Sequence, residues 1–128
     1  MKKVETEISY VSFDGVETIH VMMKPNIILT KENVLEQILA SHQLKGELRV
    51  NIITNITQLK LSNISKEVME YMKNNEYTKY QKKVAIIIEG TAQKIIGNIY
   101  LSVIKPHIDT KFFTSEIDAK NWTNSQLQ

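Results

Sequence analysis

Apolar and polar positions alternate on both sides of Asp14-Gly15, with Ile8, Tyr10 and then Val11, Phe13 before it and Ile19, Val21, Met23 after it. A period of two marks strands, and Asp-Gly supplies the positive φ angles of a tight turn, so an antiparallel β-hairpin is expected. Thr18, His20 and Met22 then fall on the hairpin's other face. Lys24-Pro25-Asn26 ends the second strand, because proline cannot donate to a ladder. The period then changes. Thr30 can cap a helix with Glu32 in its first turn, and Val34, Leu35, Ile38 and Leu39 share one helical face. Beyond Gly46, Leu48, Val50 and Ile52 alternate as a strand, followed by a polar stretch from Thr54 to Ser62. Ser65 caps a second helix lined by Val68, Met69 and Met72, which ends near Asn74-Asn75.

Val84 to Ile88 is an unbroken apolar run, the pattern of a strand covered on both faces and usually parallel to its neighbours. Gly90-Thr91 opens a third helix whose inner face is Ala92, Ile95, Ile96, Ile99 and Val103. Gly97 in its interior costs about 1 kcal/mol relative to alanine, so a neighbouring backbone is expected close by. Lys105-Pro106 stops this helix. Lys111 to Phe113 form a short strand, Ser115 and Asp118 open the last helix, and Trp122 pins it beside Ala119. The resulting order, β-β-α-β-α-β-α-β-α, predicts a single α/β domain over residues 1–128. It is a mixed β-sheet with an N-terminal β-hairpin followed by βα units, helices packed on the sheet, and fraying ends at 1–4 and 124–128.

Composition narrows the function more than the fold. A chain of 128 residues fits one core, and no segment approaches the ~20 apolar residues of a membrane span. There is no cysteine, which removes disulfides, thiolate metal sites and cysteine nucleophiles together. No apolar block follows the basic Met1-Lys2-Lys3, so a cytoplasmic protein is expected. Sixteen basic and fourteen acidic residues leave a charge of +2, too small to imply a polyanionic partner. Arg49 is the single arginine, which argues against bidentate readout of nucleic acid.

The carboxy-terminal third carries Gly97-Asn98, Lys105-Pro106, and Phe113-Thr114-Ser115-Glu116 running through Ala119 to Trp122. In these motifs the chain resembles the SpoIIAA-like family, the STAS-type domains named for sulfate transporters and anti-sigma factor antagonists, in its stand-alone bacterial branch. The resemblance implies a sheet with helices wound on it, no cofactor, and a role in protein interaction or small-ligand sensing. In the antagonists a serine directly after an aspartate is phosphorylated. Here Ser62 follows Leu61 and Ser65 follows Ile64, so the pair is missing and the function is not carried over; Ser62 and Ser65 are the only local candidates for phosphorylation, and Ser65 reads first as a helix cap.

No histidine pair among His20, His42 and His107 has the i, i+4 spacing of a zinc site, and no metal is expected. His42 reads as a favourable charge near a helix end and His20 as an exposed cross-strand residue. There is no Gly-x-Ser-x-Gly elbow, and Glu89-Gly90-Thr91 is too sparse in glycine for a phosphate loop. Tyr77, Lys79, Tyr80, Lys82 and Lys83 could stack bases or meet an anionic surface, though a solvated helix end explains them as well. Met22, Met23, Met69, Met72, Phe112 and Phe113 could line an adaptable apolar pocket. The expected function is therefore a non-enzymatic STAS-like module acting through association with itself, as a possible homodimer, or with another protein. A carrier of a small apolar, lipid-like ligand is the alternative, and nucleic-acid or anionic-surface contact the third.

Overall fold

Six strands lie side by side in chain order in the computed structural model, which describes residues 2–60, 64–91, 93–95, 97–98 and 108–124. They are β1 Lys2–Glu5, β2 Ser9–Phe13, β3 Thr18–Met23, β4 Val50–Asn55, β5 Gln81–Ile87 and β6 Asp109–Phe113. β1, β2 and β3 pair antiparallel, whereas β3 to β6 run parallel. Three helices make the parallel crossovers: α1 Lys31–Lys45, α2 Lys66–Asn74, and α3, helical at 90–91, 93–95 and 97–98. α4, Glu116–Asn124, follows β6, and Thr78–Tyr80 form a 3-10 turn before β5. The expected mixed sheet with an N-terminal hairpin and successive βα units is the observed architecture.

Local chemistry explains the elements. Gly15 has φ 82°, but Asp14 contributes its side chain, whose carboxylate accepts from the amides of Val16, Glu17 and Thr18 at 2.8, 2.9 and 3.1 Å. The hairpin loop is thus an aspartate-capped turn and not a two-residue one with both φ angles positive. Thr30 Oγ1 accepts from the Asn33 amide at 3.1 Å while Asn33 Oδ1 accepts from the Thr30 amide at 2.8 Å, a reciprocal cap on α1. Ser65 Oγ accepts from the Val68 amide at 3.1 Å, so it caps α2.

Right-handed crossovers that all step the same way across a sheet place their helices on one face. Accordingly Val34 and Ala40 of α1 and Val68 of α2 share a core with Val11, Ile19, Val21 and Val50, while α4 covers the opposite face. There Ala119 packs against Ile53, Ala85 and Ile87, with Phe113 and Trp122 beside them at 5.6 Å between ring centroids. Burying each such aliphatic side chain contributes about 1.5–3 kcal/mol.

Five expectations change. Residues 2–4 do not fray: Lys2–Glu5 is a strand on β2, held because Val4 packs on the core and Thr6 and Ser9 close the connecting turn. Ile8 fills the core from that turn, and Ser9, Val11 and Phe13 share the inward parity, leaving Tyr10 facing out. Leu39 is 45% exposed, since the inward stripe of α1 runs through Val34, Ile38 and Ser41 instead. Ile95 is 55% exposed, with Gln93 and Gly97 on the inner side of α3. What approaches Gly97 is the ring of Phe112, not a backbone: an added Cβ would lie 2.8 Å from Cζ. Ser62, Ala92, Ile96, Ile99, Val103, Lys105-Pro106, His107 and residues 125–128 lie outside the described residues.

Candidate apolar cavity with a polar end

Between the sheet and α1 to α3 lies a cavity of about 240 Å³. Its floor alternates along the strands: Val21 and Met23 from β3, Ile52 and Thr54 from β4, Val84 and Ile86 from β5, Thr110 and Phe112 from β6. The opposite parity of β4 and β5 faces α4. An extra residue in β5, where Val50 pairs with Gln81 but Ile52 with Val84, turns Gln81 to the cavity side. Met69 and Met72 of α2 form part of the roof.

α1 supplies the wall that gives the cavity its character. Its stripe at helical spacing is Val34, Gln37, Ile38, Ser41, His42 and Lys45. Val34 and Ile38 in that stripe are apolar, and Gln37, Ser41, His42 and Lys45 are polar. The His42 imidazole packs edge-on against Tyr77 at 5.6 Å and tilted against Tyr80 at 5.5 Å, closing one end. Lys45 Nζ lies 4.7 Å from the Tyr80 ring centroid and donates to the carbonyls of Gly46 and Leu48 at 3.2 and 3.1 Å. Burial holds the Lys45 ammonium below its ordinary pKa. Two buried atoms at this wall, Gln37 Oε1 and His42 Nδ1, have no hydrogen-bond partner among the described residues.

The six residues expected to form an apolar pocket divide. Met23, Met69, Met72 and Phe112 line it. Met22 lies on the opposite face across from Tyr10, and Phe113 packs on Trp122, because strand parity separates each from its sequence neighbour. The Tyr/Lys stretch divides as well. Tyr77 and Tyr80 turn to the cavity and Lys79 Nζ sits 5.3 Å from the Tyr80 centroid. Lys82 is exposed, while Lys83 crosses to α4 and donates to the Trp122 carbonyl at 3.0 Å. No single surface unites them.

His42 lies in the last turn of α1, as expected, and there it also forms part of the cavity wall. His20 is half-buried, and burial, reinforced by Lys120 of α4, pushes its pKa down against the pull of Asp14 and Glu116. No group of three or more metal-ligating side chains occurs among the described residues. Gln37, Ser41, His42 and Lys45 were missed as site residues, although their spacing on the inward stripe of α1 was a readable signal.

The whole arrangement is a SpoIIAA-like fold. It superposes, at a TM-score of 0.63 and 16% identity, on the crystal structure of an uncharacterized DUF3478-family protein with a SpoIIAA-like fold from Shewanella loihica PV-4, covering 96% of this chain and 98% of that one. No curated protein matches the sequence. The chain belongs to the family described as Domain of unknown function (DUF7793), whose profile matches residues 12–127. No helix among the described residues is long and apolar enough to cross a membrane.

Proposed function

We propose that this protein is a STAS-like binding module that takes a small, largely apolar molecule into the cavity beneath α1 to α3 and acts through that binding, not through catalysis. The observation that carries the reading is the cavity itself, about 240 Å³ and walled by Met23, Met69, Met72 and Phe112 among aliphatic side chains. An enclosed apolar space of ~150 Å³ already accepts benzene. Methionine walls reshape at low cost around different occupants.

Amide NMR spectra recorded with propylbenzene test this. Saturable shifts confined to α1, α2 and the facing parity of β4 and β5 are expected, and they should vanish in Ser41→Phe or Thr54→Leu, which fill the space, but persist in Met22→Ala on the far face. Folded protein showing no such shifts would refute the reading.

Association with a second copy of the chain is the other reading, favoured by one feature. Tyr10 and Met22 pair across β2 and β3 on the face opposite α1 to α3, the one that carries α4, and are 48% and 45% exposed. The sheet edge is a poorer candidate, because β1 presents Lys2, Lys3 and Glu5 there. Sedimentation equilibrium of wild type and Met22→Lys decides: a monomer in both ends this reading.

A further inference from the structure

Resting on the ligand reading above, we infer that the occupant carries a hydroxyl head group on its apolar body, received at the α1 end of the cavity by Gln37 and His42. Two buried polar atoms there, Gln37 Oε1 and His42 Nδ1, have no partner among the described residues, and both residues line the cavity. An unmatched buried polar atom is costly and uncommon, so two such atoms in residues that line one cavity call for a partner supplied by its occupant.

The chemistry of that partner follows from the two groups. A hydroxyl both gives and takes a hydrogen bond, so it satisfies the amide in either orientation and the imidazole in either tautomer. A carboxylate only accepts, so it fits only with the Gln37 amide turned over and the proton on His42 Nδ1, whereas a hydroxyl needs neither condition. The nearby cation does not reverse this choice. Lys45 Nζ already donates to the Gly46 and Leu48 carbonyls and rests on the Tyr80 ring. A plain hydrocarbon would fill the floor and leave both atoms unmatched.

Three probes of nearly equal shape separate the outcomes: propylbenzene, 2-phenylethanol and phenylacetate, titrated by amide NMR into wild type, Gln37→Met and His42→Phe. The alcohol-to-hydrocarbon affinity ratio should fall by about tenfold in each variant, as for loss of one hydrogen bond. An unchanged ratio, with both probes bound, overturns the hydroxyl inference and leaves the apolar-ligand reading standing. Preference for phenylacetate over the alcohol also overturns it, pointing to an anionic head read by Lys45. If no probe binds folded wild type, the ligand reading fails and this inference with it. Trp122 emission reports that each variant is folded.

Discussion

Asn51→Ala probes how α4 is fastened to the sheet. The last carbonyls of a helix have no intrahelical donors, and here two side chains from neighbouring strands supply them. Asn51 Nδ2 donates to the Thr123 carbonyl at 3.1 Å, and Lys83 Nζ to the Trp122 carbonyl at 3.0 Å. Asn51 and Thr123 are each only 4% exposed, so water does not readily replace the lost donor. Leaving that carbonyl unmatched costs about 1–3 kcal/mol, and about 2 kcal/mol is the central expectation. Unfolding entropy of ~2.1 cal/mol/K per residue over 128 residues converts this to a fall in Tm of roughly 7 °C. Lys83→Met should cost less, about 0.5–1 kcal/mol, because the ammonium is partly solvated while it complements the helix end. Urea unfolding followed by circular dichroism and by emission of Trp122, the single tryptophan, reads both the global transition and the state of α4. If Asn51→Ala lies within 0.5 kcal/mol of wild type, the amide is not fastening the helix and the reasoning is wrong.

Gly97→Ala gains about 1 kcal/mol of helix propensity but drives a methyl into the Phe112 ring, and overpacking of about 1–3 kcal/mol should win. Phe112→Leu in the same chain should restore part of the loss in urea unfolding, and a double variant no better than Gly97→Ala would exclude the clash. Asp14→Ala should cost about 1–2 kcal/mol at neutral pH. The Asp14 pKa is a balance: burial raises it, and the amides of Thr18, Val16 and Glu17 with His20 lower it further, below the usual aspartate range. A carboxyl depressed by folding gives stability that is present above its unfolded pKa and lost as pH falls through its folded one. The wild-type advantage over Asp14→Ala should therefore shrink below about pH 4, and a difference constant down to pH 2 would contradict it. Ser65→Ala should lose about 1 kcal/mol with the α2 cap, while neutralising the exposed Lys31–Glu67 pair at 3.0 Å should change stability by less than about 0.5 kcal/mol.

Element order was legible because the period of the apolar residues changes sharply at Pro25, Gly46 and Gly90. β1 was not, since Lys2, Lys3 and Glu5 surround one apolar residue and only pairing with β2 makes Val4 a core residue. Of the six residues named for an apolar pocket, Met23, Met69, Met72 and Phe112 do line the cavity. Met22 and Phe113 were assigned with them because composition does not resolve parity, and a one-residue step moves a side chain through the sheet. The polar wall went unseen for a related reason. Leu35 and Leu39 suggested one apolar face of α1, but the helix lies rotated so that Gln37, Ser41 and His42 look inward.

That rotation bears on why the cavity exists. Apolar side chains at 41 and 42 would close it, each adding about 1.5–3 kcal/mol by burial. Against a total stability of about 5–15 kcal/mol, that contribution is not small. α1 is otherwise well specified, with a reciprocal cap at Thr30 and Asn33 and a left-handed glycine at Gly46. On the ligand reading proposed above, a helix that follows local rules at both ends and breaks them along one inward stripe has its exception placed by function. If so, the variant that fills the space, Thr54→Leu, should be more stable than wild type in the absence of ligand and should lose binding, a pairing of effects that simple misfolding does not produce.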